Sequence, residues 1–306
     1  MLLSICIPIY NADICPLAIE LHRQIQDYSS EVELLFLDDA SDVFFQEKNR
    51  SVGKFSDYQE LPINIGRSKI RNAFLSFAKG TYMLFVDGDS KIIHPDFVKR
   101  YVECLRLKNI EVLIGASIYS DEIPERKQLL RWTYSRKRES KSFSERNLHP
   151  ELGFKSNNFV ILKSLFAKYS FDESLVTYGH EDTLFGYQLR MKGVSFQHMD
   201  NPVLNSNLDD NEQFLEKTKE ALKNLLLISL KLQDTHFNKE HRLLSLSFSI
   251  EKNRLCRDAC KILGAFSLPL LTAFLKKGYF TLWMFDLYRL FHLIDYLGNY
   301  RKNKVF

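Results

Sequence analysis

Two pairs of acids carry the spacing that chemistry needs. Asp87 and Asp89 flank Gly88 directly after the apolar run Tyr82 to Val86, and Glu181 and Asp182 follow "TYGH" where a helical pattern begins. Hard cations such as Mg²⁺ and Mn²⁺ take oxygen ligands, and Mg²⁺ is commonly held by one or two carboxylates together with substrate phosphates. A D-x-D closing a buried strand supplies such a donor pair. Glu181 and Asp182 admit two readings. Acids in a first helical turn are favoured by the helix dipole. An ionised carboxylate in the same place can also accept a proton from an attacking hydroxyl.

The elements that must position these acids alternate along the first half of the chain. Leu2 to Tyr10 predicts a strand, and Pro16 opens a helix that stacks Leu17, Leu21 and Ile25 at i, i+4 spacing. "EVELLFLDD" predicts a second buried strand ending on Asp38 and Asp39, and "ELPINIG" a short third. A helix is expected from Arg67 to Lys79, with Ile70, Phe74 and Phe77 on one face and Gly80 as a left-handed stop. The 81–87 strand follows, then a helix near 95–107 and strands at "EVLIGAS", "NNFVILK" and "VSFQHM"; Glu181 to Met191 predicts a helix stopped by Gly193. This alternation implies an α/β fold with a doubly wound, mostly parallel sheet and right-handed crossovers. In such sheets ligands bind at the carboxyl ends of the strands, where strand order reverses. Tyr10-Asn11, Asp38-Asp39 and Asp87-Gly88-Asp89 all fall at such ends. They are expected at a ligand-facing rim, where ionisation costs little, and not inside the core.

Composition narrows the class. The 306 residues are 45% hydrophobic and 26% charged, enough to bury a core, and the formal charge of +4 does not point to nucleic acid. The five cysteines form no CxxC pair, and an odd count argues against a disulfide framework; Cys256 and Cys260 share a helical face and read as packing. The start "MLLSICIPIYNADICP" lacks a basic leader region, and no uninterrupted apolar run reaches the ~18 residues that span a bilayer. The cytoplasm is the expected location. The polar stretch from Asp121 to His149 reads either as a solvated insertion or as a lid over a phosphate-bearing ligand.

Five segments in order and spacing, "SICIPIYN", "LLFLDDAS", "NIGRSKIRNAF", "YMLFVDGD" and "YGHEDTLFGYQL", resemble the family 2 glycosyltransferases of the GT-A fold over about residues 2 to 207. The resemblance implies a catalytic domain over 1–208 and a helical C-terminal extension over 209–306. It also implies a nucleotide-diphosphate-sugar donor, UDP-linked by expectation, a divalent cation (Mg²⁺ or Mn²⁺), and a glycan or lipid-linked acceptor. By motif match, Pro8, Tyr10 and Asn11 line the base and ribose region, and Asp39 meets the base. Arg67 and Arg71 approach the nucleotide, Asp87 holds the ribose or the metal shell, and Asp89 binds the metal. Asp182 is the implied base of a single inverting displacement, with Glu181 orienting the acceptor.

One departure stands out. Where many relatives carry a His after "NPV", this chain has Asn205, which leaves Asn205, His198 and His180 as candidates for a third ligand. Asn205 is also the one feature that favours a binding module without catalysis. A sugar-phosphate nucleotidyltransferase would want a Gly-rich basic segment after the first strand, and a dinucleotide dehydrogenase a G-x-G-x-x-G; "PIYNADICP" supplies neither. The tail mixes large apolar residues with Lys261, Lys276, Lys277, Arg289, Arg301, Lys302 and Lys304. Pro269 and Gly278 are expected to divide it into short helices. These would cap the catalytic domain, pair with a second subunit, or present Trp283, Phe285, Tyr288 and Phe291 to an anionic membrane surface.

Overall fold

Residues 1–304 are described by the computed structural model, with side chains to residue 300, so the cations Arg301, Lys302 and Lys304 lie outside the described side chains. The chain forms two compact units. The first comprises Met1–Asp121, Arg138–Val176 and Glu181–Asn207; the second comprises Glu122–Lys137, Thr177–His180 and the chain from Leu208 onward.

The first unit is built on ten strands: β1 (Leu3–Ile9), β2 (Val32–Asp38), β3 (Asp57–Glu60), β4 (Tyr82–Val86), β5 (Ser90–Ile92), β6 (Val112–Ile114), β7 (Ser117–Tyr119), β8 (Asn158–Leu162), β9 (Phe196–His198) and β10 (Val203–Asn205). Seven of them form a sheet in the order β3-β2-β1-β4-β8-β6-β9, in which only β8 runs antiparallel to its neighbours. Alternation along β1 sends Leu3, Ile5, Ile7 and Ile9 into one buried cluster and Cys6 into the other, so both faces are covered. The chain steps outward from β1 to β2 to β3 and then returns to place β4 on the other side of β1. The carboxyl ends of β1 and β4 therefore flank the point where strand order reverses, the position where open α/β sheets bind ligands. A second sheet, β5-β10-β7, adds a short ribbon beyond β4 in which Asn205 is registered against Ser90.

Three expectations for this unit need correction. "ELPINIG" is not a strand; the pairing segment is Asp57–Glu60, because Pro62 has no N–H to offer a ladder and the N–H groups of Ile65 and Gly66 are committed to Asp39. Gly80 is not a left-handed stop. The helix Arg67–Ala73 ends in a short 3₁₀ turn at Phe74–Ser76, and glycine is needed at 80 because a Cβ would lie 2.6 Å from the Ser4 backbone nitrogen. "EVLIGAS" breaks into two strands at Gly115 and Ala116. Ala116 has φ +68, and a Cβ on Gly115 would meet the Tyr101 hydroxyl, which donates 2.8 Å to Asn158 Oδ1.

The second unit is helical among its described residues, with Leu130, Phe214, Leu215, Leu271, Leu275, Phe285 and Tyr288 as its core. Part of the 121–149 stretch joins it: Leu129–Tyr134 is a helix whose Leu130 is buried and whose Leu130 N–H is accepted by Asn211 Oδ1 at 3.0 Å. The tail differs from expectation twice. Pro269 sits inside one continuous helix, Arg254–Lys276, and does not divide it. The ring removes a single helical hydrogen bond, and the packing of Leu271 and Leu275 on its C-terminal side retains the remaining turns. Phe285 and Tyr288 are core residues, 1% and 0% exposed, and are not available to a lipid surface.

Candidate active site

The rim at β1 and β2 is stitched by its own polar groups. Asn11 adopts φ +48, which turns the chain so that its N–H donates to Ser41 Oγ (2.8 Å) and its Oδ1 accepts from the Asp42 N–H (2.8 Å). Asp38 is fully buried and accepts from the Ser41 N–H (2.7 Å) and the Tyr58 hydroxyl (3.1 Å). Burial, together with Asp38, pushes the Tyr58 phenol well up, so it remains a donor to that carboxylate. Asp39 receives the backbone N–H groups of Ile65 (2.7 Å) and Gly66 (2.9 Å), one on each carboxylate oxygen. Burial raises its pKa, against the lowering effect of those two bonds. Gly66, at φ +87, then feeds directly into the helix Arg67–Ala73. Pro8 is half-buried and Tyr10 is exposed beside this loop cluster.

That helix carries the decisive contacts. Arg67 and Arg71 are one turn apart and therefore share a face. Arg71 is almost completely buried; its Nη2 donates to Asp87 Oδ1 at 2.7 Å and its Nη1 to the Arg67 carbonyl at 3.1 Å. Arg67 is half-exposed, and its Nη1 donates to Glu181 Oε1 at 3.3 Å, with Glu181 itself nearly buried. Two guanidinium groups from a single turn thus tie the D-x-D at the end of β4 to the acidic pair that opens the helix Glu181–Met191, across 94 residues of sequence (181 − 87). Each arginine is paired with a carboxylate, Arg71 in burial and Arg67 with half of its side chain still exposed. Gly88 lets the D-x-D sit close under β1, since a Cβ there would lie 3.2 Å from the Pro8 carbonyl and from Ile14.

Asp182 is held less tightly. Its Oδ1 accepts the Thr183 N–H (2.7 Å) and its Oδ2 lies 3.7 Å from Lys155 Nζ. The result is a partly open carboxylate with a cation at its margin.

The third-ligand question has a structural answer for one histidine. Both ring nitrogens of His198 are used: Nδ1 lies 2.7 Å from Arg146 Nη1 and Nε2 lies 3.0 Å from the Pro150 carbonyl. Arg146 can only donate, so His198 accepts at Nδ1 and donates from Nε2–H, and no lone pair remains for a metal. His180, at φ +66, belongs to the second unit, where its ring stands 6.2 Å from that of His241. Asn205 differs from both. Its Oδ1 is buried and has no hydrogen-bond partner among the described residues, while register places it against Ser90, next to Asp89. Its neighbour Ser206 donates to the Asp89 carbonyl at 3.4 Å. Among the described residues no three His, Cys, Asp or Glu side chains gather as a metal cage. Two carboxylates with one orphaned amide oxygen fit a hard cation that completes its shell with phosphate or water.

The sequence profile described as Glycosyl transferase family 2 matches residues 4–169. The chain belongs to this glycosyltransferase family. No curated protein matches the sequence significantly. Among solved structures, the mannosyltransferase PcManGT from Pyrobaculum calidifontis aligns over 97% of this chain and 87% of its own, with 13% identity and a TM-score of 0.57. S. aureus TarS, residues 1–349, aligns over 99% and 92%, with 18% identity and a TM-score of 0.51. Glucosyl-3-phosphoglycerate synthase from Mycobacterium tuberculosis aligns over 74% and 79%, with 17% identity and a TM-score of 0.52. At these identities the likeness establishes the GT-A fold.

Within this glycosyltransferase, motif reading missed Lys155, Ser41 and Ser206. Lys155 carries no motif, and its place beside Asp182 depends on how the segment 138–176 folds back. Ser41 falls inside the quoted "LLFLDDAS", and its role as acceptor for Asn11 could have been suspected from that spacing.

Proposed function

We propose that this glycosyltransferase moves a sugar from a nucleotide-diphosphate sugar, UDP-linked, to a hydroxyl of a glycan or lipid-linked saccharide, with inversion at the anomeric carbon. One observation carries the reading: the Arg67–Glu181 and Arg71–Asp87 pairs gather the D-x-D and the acidic pair into one site at the strand-order reversal. TarS was crystallised with UDP-GlcNAc, PcManGT with GDP-Man and Mn²⁺, and glucosyl-3-phosphoglycerate synthase with UDP and Mg²⁺. These ligands support a nucleotide-diphosphate donor.

In this reading Pro8, Tyr10, Asn11 and Asp39 bind the base and ribose, at the rim whose two loops the Asn11–Ser41 hydrogen bond ties together. Arg67 would meet the diphosphate, and Arg71 fixes Asp87. A divalent cation would neutralise charge on the departing diphosphate, and Asp89, Asp87 and Asn205 would hold it. Asp182 accepts the proton of the acceptor hydroxyl, whose oxygen forms the new bond to the anomeric carbon as the bond to the diphosphate breaks. The leaving diphosphate takes that electron pair. Lys155 stands 3.7 Å from Asp182, and Glu181, fixed by Arg67, orients the acceptor.

The test is release of nucleotide diphosphate from a panel of UDP- and GDP-sugars with Mn²⁺, with and without saccharide acceptors. Asp182→Asn is expected to lower turnover by ~10²–10⁴-fold, the usual worth of a positioned general base, and to leave nucleotide affinity unchanged. If nucleotide affinity fell as far as turnover, Asp182 would be a donor-binding residue. If no panel member were turned over while nucleotide binding persisted, a binding module without catalysis would replace this reading.

A further inference from the structure

The helix Arg254–Lys276 is, by length and composition, apolar enough to cross a bilayer, yet only 17% of its most apolar window is buried. One side packs within its unit. Gly264, Leu271 and Leu275 are buried there, and a Cβ on Gly264 would sit 3.3 Å from the Phe291 ring. The opposite side exposes Leu255, Ile262, Leu263, Phe266, Leu270 and Phe274, with Phe266 at 82%. Leu263, Phe266, Leu270 and Phe274 follow one another at steps of three and four residues, and Leu255 and Ile262, seven apart, fall on the same side of the helix. Tyr279 and Trp283, just beyond the helix, are exposed as well. A contiguous apolar patch of this extent marks a surface that something covers.

Charge identifies the covering partner. Lys252, Arg254 and Arg257 stand at one end of the stripe, where Asp258 offsets part of their charge at 3.9 Å from Arg254 and 3.0 Å from Arg257. Lys276 and Lys277 stand at the other, where Glu212 pairs with Lys276 at 2.6 Å. Each end keeps a surplus of positive charge. A second copy laid along this face, parallel or antiparallel, would set cationic ends against cationic ends. An anionic lipid surface complements both at once. The packed side rules out simple spanning, because Gly264, Leu271 and Leu275 would have to leave their unit. Pro269 also deprives the Ala265 carbonyl of its helical donor. Water in a headgroup layer can satisfy that carbonyl and hydrocarbon cannot.

We propose that this helix lies in the plane of an anionic membrane surface, with its apolar stripe at the headgroup–acyl boundary and its terminal cations among the lipid phosphates. The proposal rests on the second unit alone and is independent of the transfer reaction. It is tested by co-sedimentation of the full chain with vesicles of phosphatidylcholine alone and of equal parts phosphatidylcholine and phosphatidylglycerol, at low and high salt. Binding is expected on the anionic vesicles and should weaken with salt. Phe266→Asp with Leu270→Asp, both at exposed positions, should lower binding roughly a hundredfold with the circular dichroism spectrum and melting temperature unchanged. Lys252→Gln, Arg254→Gln and Lys277→Gln should each cost roughly fivefold on anionic vesicles only. Equal binding to both vesicle types at both salts would overturn the proposal, as would full binding by the double aspartate variant. So would a wild-type protein that ignores vesicles and forms a dimer lost in that variant, which would assign the face to a second copy.

Discussion

Arg71 is the residue on which the geometry depends most, and Arg71→Met isolates its charge. Methionine nearly matches the buried stem in length and leaves little cavity, so the loss is that of the guanidinium. The Asp87 contact at 2.7 Å joins an almost fully buried cation to a carboxylate that is 30% exposed. A hydrogen bond between charged groups contributes about 1.5–3 kcal/mol, and breaking a fully buried pair costs more. Water reaching Asp87 discounts the upper figure, leaving about 2 kcal/mol of local stability. That corresponds to about 30-fold faster hydrogen exchange in the segment that ends on Asp87, if those amides exchange by local opening. Exchange read on peptides covering β4 suits this protein, since Trp132 and Trp283 both lie in the second unit and their fluorescence would not report the first. Asp87→Asn removes the charge that Arg71 balances, so adding it to Arg71→Met should restore part of the protection. The cycle should show coupling of about 1–2 kcal/mol. Strictly additive effects, or unchanged protection in Arg71→Met, would refute the claim that Arg71 anchors the D-x-D.

Two pH effects follow from burial. Burial raises the pKa of Asp39 from its ordinary value, and its proposed partner is an N–H of the base, which requires the ionised form. Nucleotide affinity should therefore fall on acidification sooner than an ordinary Asp would allow; a flat profile down to the usual range would remove Asp39 from the base site. His198 is held neutral, its pKa lowered first by burial and further by Arg146. Its contribution to stability is thus complete above the unfolded value near 6.5 and is lost as pH falls below it, because the unfolded chain then binds more protons. Melting temperature should drop with acidification through that range, and His198→Gln should flatten the drop; an identical profile in the variant would contradict the assignment.

The sequence disclosed most of what periodicity and motif spacing encode. The strands bearing Ile9, Asp38 and Val86 at their ends are long, apolar and bounded, so the strand ends were legible. The exposure of their acids was not, since Asp38 and Asp39 are buried and burial raises the Asp39 pKa, whereas Asp87 stays 30% exposed. Arg67 and Arg71 were legible as neighbours on a helical face, but not as partners of Glu181 and Asp87. Such pairings across the fold leave no periodic trace. β5, β7 and β10 have three residues each, too few for alternation to show, and with them went the position of Asn205 beside Asp89. Gly80 and Pro269 depart from local expectation for one shared reason. Local rules predict turns and breaks from such residues, whereas here a close backbone approach and tertiary packing decide. Phe285 and Tyr288 show the same limit, since an apolar residue in a helical tail fits a core and a membrane surface equally well until its neighbours are known.

The most direct test of the central claim is calorimetric titration of nucleoside diphosphate into the wild type and Asp89→Asn, with Mn²⁺ and with the cation chelated. The account predicts that wild-type affinity depends on the cation and that Asp89→Asn reduces it to the cation-free level, with the fold intact. Equal, cation-dependent affinity in both proteins would contradict the assignment of the D-x-D as the diphosphate site.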